Sequence, residues 1–145
     1  MSTIPILDKM FKAEEIKVRQ KIELETLRSL MAEKITRNDI PALVKIETLV
    51  TEEGFLGKVK ATKPCITIVH KTKSTSWYSY CITVEYEYGI SYVKLFLYGN
   101  SPLSNLRLSN DGNNQYTRRT EYIQQWEAET RYYTAVALVF HEMFE

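Results

Sequence analysis

Glycine is scarce in this sequence, and its five copies stand singly. Phosphate-binding loops of dinucleotide and nucleoside triphosphate enzymes need closely spaced glycines directly before a helix. Gly54 and Gly57 are the nearest pair, and their spacing does not form such a cradle. The sequence therefore counts against the Rossmann and P-loop classes of enzyme.

Cysteine and histidine are also rare, with two of each. Cys65 and Cys81 make neither a disulfide framework nor a zinc-site spacing, so we expect small buried side chains in adjacent strands. His70 is expected at the apolar edge of a strand and His141 in solvent, because neither has further metal ligands at strand or helix spacing. Either cysteine could pair with His70 as a nucleophile, but packed strand thiols are usually unreactive. No enzyme activity, metal or cofactor is predicted.

Long apolar runs are absent from the sequence. No stretch approaches the roughly 18 residues needed to span a bilayer. The opening residues, MSTIPILDKMF, lack the basic start and the long apolar core of a signal peptide. The expected location is therefore the cytoplasm, without a membrane segment. A length of 145 residues predicts one domain, residues 1–145.

The sequence does contain a long stretch of period-two alternation over residues 77–99, WYSYCITVEYEYGISYVKLFLYG. This pattern predicts a β-hairpin with one apolar face. Because a type II′ turn favours glycine first, the predicted turn is Gly89-Ile90, which sets Val84 opposite Leu95. A Tyr88-Gly89 turn would keep the same faces, but it ranks second because it forces a positive φ on a tyrosine.

The first third of the chain is predicted to be helical. An apolar stripe at helical spacing predicts a helix from about Ile4 to Thr36. Asn38-Asp39 is interpreted as a stop and a new N-cap, which gives a second helix over residues 40–53, closed by Gly54. A strand over residues 42–51 is the alternative, because this segment is rich in valine and isoleucine. The paired caps favour the helix, so residues 1–54 are predicted to form a helical hairpin.

The remaining residues predict a sheet, a loop and a helix. Strands over 55–60 and 65–70 precede the hairpin, which gives an antiparallel meander of about four strands over residues 55–98. Residues 99–116 form a long loop, within which Leu106-Arg107-Leu108 is a candidate fifth edge strand. Apolar residues at spacings of three and four then predict a helix over 117–145 that packs on one sheet face. They are Ile123, Trp126, Tyr133, Val136, Ala137, Phe140 and Phe144. The predicted fold class is α+β.

Charge is unevenly distributed along the chain. Residues 54–84 carry 5 basic and 0 acidic side chains, whereas residues 1–53 carry 9 and 10, and residues 85–145 carry 5 and 8. Lysines beside aromatic strands suit phosphates and stacked bases. The candidate binding residues are Lys58, Lys60, Lys71, Lys73, Trp77, Tyr78, Tyr92, Tyr98, Arg118 and Arg119. A net charge of +1 and the lack of an RNA-recognition motif make nucleotide or single-stranded nucleic-acid binding the second hypothesis.

Tyrosine is abundant, with ten copies. Seven of them cannot all lie on one core face, and exposed tyrosine is enriched at protein interfaces. They are Tyr80, Tyr86, Tyr88, Tyr92, Tyr98, Tyr132 and Tyr133. The first hypothesis is therefore a small non-enzymatic binding protein of the inhibitor or adaptor type, with a protein partner. An accessory protein from a virus or phage would fit this description. Self-association as a homodimer is equally allowed.

Overall fold

The computed structural model describes residues 3–4, 10–53, 59–101 and 116–144, with the backbone alone at 3–4, 51–53, 59–61 and 116–123. The fold class is α+β, as predicted. The elements in chain order are β1 (Thr3–Ile4), β2 (Phe11–Val18), α1 (Leu24–Arg37), β3 (Ala42–Glu53), β4 (Val59–His70), β5 (Ser79–Glu87), β6 (Ile90–Tyr98) and α2 (Tyr116–Glu142).

The strands of the described residues form one six-stranded sheet in the order β1-β3-β4-β5-β6-β2. Strands β3 to β6 form an antiparallel meander of four strands, so the predicted topology is confirmed. Its bounds differ from the prediction, because residues 59–60 and 65–70 of two predicted strands belong to the single strand β4, and residues 55–58 lie outside the described residues. The fourth strand of the meander is β3, which was predicted as a helix. The short β1 pairs in parallel with β3, and β2 pairs antiparallel with β6. The candidate edge strand at 106–108 lies outside the described residues.

The predicted helical hairpin of residues 1–54 is wrong, because α1 is the only helix among the described residues of that range. Residues 11–18 form β2, and most of the second predicted helix is the strand β3, which was the alternative. Asn38 and Asp39 end α1 instead of starting a helix. The Asn38 side-chain amide donates a hydrogen bond to the Lys34 carbonyl at 2.8 Å, and Asp39 has a φ of 56°. Both are features of a helix C-terminus.

Both helices contribute to the core on one sheet face, which confirms the predicted packing of the C-terminal helix. Val136 and Phe140 of the predicted α2 stripe are fully buried, but Trp126 is 52% exposed. Tyr132 and Val139 are the other apolar residues that α2 buries among its described side chains, which begin after Ile123. The main core comprises Leu27, Met31, Ile35, Ile40, Ala42, Ile66, Ile68, Tyr80, Ile82, Val93, Leu95, Tyr132, Val136, Val139 and Phe140. A second, smaller cluster comprises Met10, Leu49, Cys65 and Cys81.

The β5–β6 hairpin turns at Tyr88-Gly89, so the turn predicted at Gly89-Ile90 is wrong and the second-ranked alternative is correct. Tyr88 has a φ of 54° and Gly89 a φ of 77°. Two positive φ angles define a type I′ turn, whose twist matches that of the flanking strands. Val84 consequently lies opposite Val93, and the two faces keep their predicted residues. The left-handed conformation costs a non-glycine residue about 1–2 kcal/mol.

Replacement of Tyr88 by asparagine should relieve this backbone strain. Asparagine adopts the left-handed conformation more readily than tyrosine, and Asn-Gly is a preferred type I′ pair. We therefore expect Tyr88→Asn to raise the free energy of unfolding by about 1 kcal/mol, measured by urea denaturation. The control Tyr86→Asn lies in the strand itself and should not stabilise the protein. An unfolding free energy for Tyr88→Asn at or below that of the wild type would contradict this account of the turn.

Candidate functional site

The structure distributes the predicted lysines along the full length of β4. Lys71 and Lys73 are exposed in the turn that follows β4. Near the other end of that strand, the backbone of Lys60 lies opposite Glu52 of β3. Lys60 and Lys71 are eleven positions apart, which is roughly 35 Å in an extended strand. Lys58 lies outside the described residues. Lys60 therefore does not share one phosphate-binding surface with Lys71 and Lys73.

The predicted aromatic residues are also divided between the two ends of the sheet. Trp77 and Tyr78 are half-buried beside the lysine turn, and Tyr98 ends β6 opposite Ser79. Tyr92 lies near the start of β6, opposite Glu85. Arg118 and Arg119 lie in the first turns of α2, where only the backbone is described. The structure thus brings together Lys71, Lys73, Trp77 and Tyr78, with Tyr98 at the same end of the sheet.

The rings at this end pack against one another. The ring centroid of His70 lies 4.9 Å from that of Trp77 and 4.9 Å from that of Tyr132, both edge-on. The Nδ1 atom of His70 accepts hydrogen bonds from the backbone N–H groups of Thr72 and Lys73, both at 3.1 Å. Burial, and then the Lys73 charge, lower the pKa of His70. His70 is therefore a neutral packing group. The Trp77 ring packs against His70 and Tyr132 and is not free to stack on a base.

A buried carboxylate connects α2 to the same end of the sheet. Glu129 is 1% exposed. Its Oε2 atom accepts hydrogen bonds from the Ser101 hydroxyl and from the Tyr133 hydroxyl, the latter at 2.5 Å. The Tyr133 oxygen accepts the backbone N–H of Tyr78 at 2.9 Å. Burial and the Glu129 carboxylate raise the pKa of Tyr133, which keeps its hydroxyl a donor. This network is a structural clamp, and sequence analysis did not predict it.

The second histidine is paired across the fold. His141 was expected in solvent and is 50% exposed at its side chain, but its Nε2 atom lies 2.7 Å from Oε1 of Glu14. Glu14 comes from β2 and His141 from α2, so this contact joins an edge strand to the C-terminal helix. Within the described residues, no three His, Cys, Asp or Glu side chains are grouped as metal ligands.

The opposite end of the sheet presents the hairpin tip, defined as residues 85–90. Tyr88 is 88% exposed and Tyr86 is 50% exposed, both among the most exposed large apolar side chains of the described residues. Glu85 forms ion pairs with Lys63 at 2.9 Å and with Lys94 at 3.9 Å. The Lys63 hydrogen bond is the main cause that lowers the pKa of Glu85. The tip is therefore charged at its sides and aromatic at its end.

The base of the hairpin tip is fixed by a buried serine. Ser91 is fully buried, and its hydroxyl donates a hydrogen bond to the Gln20 carbonyl at 2.6 Å. The same oxygen accepts the backbone N–H of Ile22 at 3.2 Å. Both partners lie in the connection between β2 and α1. The tip therefore projects from a base that is anchored to the rest of the fold.

The exposed members of the seven tyrosines lie on this hairpin tip. Tyr80 and Tyr132 are buried in the main core, at 3% and 6% exposure. Three more of the seven are half-buried: Tyr92, Tyr98 and Tyr133. Only Tyr86 and Tyr88 among the seven are exposed. Among these seven tyrosines, the two that are exposed for contact with a partner are therefore neighbours on one tip.

Comparison of the chain with known protein families, curated proteins and solved structures finds no match. The described helices also include none that combines the length and the apolar composition required to cross a membrane.

Proposed function

We propose that this chain is a non-enzymatic binding protein, of the inhibitor or adaptor type, and that the hairpin tip contacts its protein partner. The observation that carries the proposal is Tyr88, an 88% exposed aromatic residue held at a φ of 54°. A tyrosine at this position adds little to the free energy of unfolding. Asparagine or glycine suits the turn better, and the tyrosine ring is almost fully exposed. Backbone strain retained at an exposed aromatic residue points to recognition.

The chemistry of the tip suits a protein interface. Tyrosine offers a large, amphipathic contact area with only two side-chain torsions to immobilise. Tyr86 and Tyr88 are flanked by Glu85 and Glu87, all four exposed, so an aromatic centre has a polar border. The Ser91 hydrogen bonds order the base before any partner arrives, which reduces the entropy lost on binding. The proposed setting is the cytoplasm.

The nucleotide or single-stranded nucleic-acid hypothesis has less support from the geometry. Lys60 is far from Lys71 along β4, and the Trp77 ring packs against His70 and Tyr132. Stacking on bases needs rings that are free on one face beside a continuous basic groove. The described surface does not bring those two elements together.

Affinity capture from the native source tests the proposal. Lysate, with and without nuclease treatment, is passed over three immobilised baits: wild type, Tyr86→Thr/Tyr88→Asn at the tip, and Lys71→Ala/Lys73→Ala at the opposite end. We expect a stoichiometric protein partner on the wild type and on the lysine variant. The tip variant should bind it at least about 30-fold more weakly, because interface hot spots contribute about 2 kcal/mol or more.

Two results would count against the proposal. One is a partner that the tip variant retains as well as the wild type does, with both proteins shown to be folded by circular dichroism. The other is retained material that consists of nucleic acid and disappears with nuclease. The second result, combined with loss of binding in the lysine variant, would favour the nucleic-acid hypothesis instead.

A further inference from the structure

The hydrogen-bonded pairing between β4 and β5 stops partway along the two strands. It runs from the pair Ile68–Tyr80 to the pair Ile66–Ile82 and goes no further toward the hairpin tip. Strand β5 nevertheless pairs with β6 along its whole length, and β4 pairs with β3 along its whole length. The open β5 edge, defined as the β4-facing side of residues 83–87, therefore has no strand partner among the described residues.

The turn at Tyr88-Gly89 determines which backbone groups face this edge. A turn of this type joins the carbonyl of Glu87 to the N–H of Ile90, so these two residues form a hydrogen-bonded pair. Hydrogen-bonded and non-hydrogen-bonded pairs alternate along an antiparallel ladder. The odd-numbered residues from 83 to 87 therefore bond to β6, whereas Val84 and Tyr86 direct their backbone N–H and C=O groups to the open β5 edge.

A proline explains why the ladder between β4 and β5 ends. The same alternation makes Ile66 and Ile82 a hydrogen-bonded pair, and the next such pair in the register would be Pro64 with Val84. Proline has no N–H group to donate to the Val84 carbonyl. Pro64 and Thr62 are both exposed, so the β4 side of this gap in the pairing is accessible to solvent.

The side chains along the open β5 edge suit a segment with apolar and basic residues. Val84 packs against the main core, and Tyr86, on the same face, is 50% exposed. Glu85 and Glu87 lie on the other face, and Glu87 forms no ion pair within the described residues. Because successive residues of a strand point to opposite faces, alternating apolar and basic residues would complement both faces of this edge.

One ion pair spans β4 and β5 where the backbone pairing is missing. The Nζ atom of Lys63 lies 2.9 Å from Oε1 of Glu85. Such partly exposed ion pairs contribute little to stability. An incoming strand can therefore displace Lys63, while Lys94, at 3.9 Å from the same oxygen, stays beside Glu85.

We propose that the protein partner contributes an extended segment, with alternating apolar and basic side chains, that adds to the open β5 edge as an antiparallel strand. The backbone groups of Val84 and Tyr86 bond to this segment, whose apolar side chains lie beside Tyr86 and whose basic side chains face Glu87. The inference rests on the proposed function, because the open β5 edge continues into the hairpin tip that the partner contacts.

Peptide binding to the full chain tests the strand addition. The probe is the peptide Val-Lys-Val-Lys-Val-Lys-Val. One control peptide has glutamate in place of each lysine, and the other has N-methylated valines, which removes the backbone donors that would face β5 and keeps the charge. We expect the probe to bind at least about 10-fold more tightly than either control, because each control loses several favourable contacts.

Amide hydrogen exchange gives a readout at the edge itself. In the free chain, the amides of Val84 and Tyr86 should exchange faster than those of Thr83 and Glu85, which bond to β6. At a saturating concentration, the probe should slow the exchange of the Val84 and Tyr86 amides by at least about 10-fold, since both become hydrogen-bonded.

Two substitutions at one position separate the strand addition from the role of the tip. Val84→Pro removes an N–H that faces the open β5 edge and keeps Tyr86 and Tyr88, whereas Val84→Thr keeps both the N–H and the shape of the side chain. As baits in the affinity capture, Val84→Thr should retain the partner, and Val84→Pro should bind it at least about 10-fold more weakly.

The outcomes distinguish the two proposals. A partner that Val84→Pro retains and the tip variant loses would overturn the strand addition alone, whereas a partner that only the tip variant retains would count against the proposed function. A probe bound no more tightly than its N-methylated control, or unchanged exchange of the Val84 and Tyr86 amides, would also overturn the strand addition. If Val84→Pro fails to fold, these two measurements decide, because both use the unmodified chain.

Discussion

Phe140→Ala is expected to lower the free energy of unfolding by about 3–5 kcal/mol. Phe140 is fully buried and is among the largest side chains excluded from solvent in the described residues. It belongs to the core cluster that joins both helices to the sheet, and its ring lies 5.5 Å from that of Phe144. Truncation removes buried apolar area and leaves a cavity that a packed sheet cannot close. Total stability is typically about 5–15 kcal/mol, so this loss is a large part of it.

The control for this measurement comes from the same helix. Leu138 is 56% exposed, so Leu138→Ala should change the free energy of unfolding by no more than about 0.5 kcal/mol. Both variants keep a good helix former and differ mainly in the face of α2 that they alter. Denaturant unfolding followed by far-ultraviolet circular dichroism gives both values. Equal effects at positions 138 and 140 would contradict the described orientation of α2.

Glu129→Ala should cost about 2–4 kcal/mol, because the carboxylate is the acceptor for two hydrogen bonds in a buried site. Its removal leaves the hydroxyls of Ser101 and Tyr133 without this acceptor. The Tyr133 hydroxyl oxygen also accepts the backbone N–H of Tyr78. A displaced Tyr133 would therefore weaken a contact just before the start of β5. The loss therefore exceeds what an exposed helix position would show.

Glu127 is the matched control for Glu129. It lies two positions away on α2, with its side chain 56% exposed and 3.7 Å from Arg131. Exposed ion pairs of this kind contribute about 0.5 kcal/mol or less within a helix. Glu129→Gln keeps one acceptor oxygen and should lose less stability than Glu129→Ala. If chemical denaturation gives Glu129→Ala and Glu127→Ala the same free energy of unfolding, the buried clamp does not exist.

The central hairpin and the C-terminal helix could be predicted because their sequence patterns are long and consistent with burial. Residues 79–87 and 90–98 alternate faces with β-branched and aromatic residues, which favour strands. The helix is 27 residues long, so its period is unambiguous. The finer details depended on tertiary contacts. Trp126 fits the apolar stripe of α2, but it lies where the described structure leaves half of its surface exposed.

The N-terminal strands could not be predicted in the same way. Residues 11–18, FKAEEIKV, contain mostly good helix formers, and their charges resemble a solvated helix face. In the structure they form an edge strand, whose pairing with β6 involves residues roughly 80 positions away. A bulge between Lys12 and Glu14 also interrupts the alternation that would have indicated a strand.

The candidate site was predictable in composition but not in position. The excess of tyrosine was visible, yet the exposure of Tyr88 depends on a turn type that tyrosine disfavours. The lysines are close in sequence, but the twelve-residue strand β4 places Lys60 and Lys71 at opposite ends of the sheet. Glu129 resembles any acidic residue of a helix until Ser101 and Tyr133 are placed beside it.

The placement of the two earliest strands at both edges of the sheet has a consequence for synthesis on the ribosome. Phe11 of β2 pairs with Leu97, so β2 emerges long before its partner exists. The two residues are 86 positions apart. At about 5–20 residues per second, this length takes about 4–17 s to add. Throughout that interval the backbone N–H and C=O groups of β2 are hydrogen-bonded to water instead of to a partner strand. The charged side chains of β2 then have a second role, because they keep this unpaired segment from associating with other nascent chains.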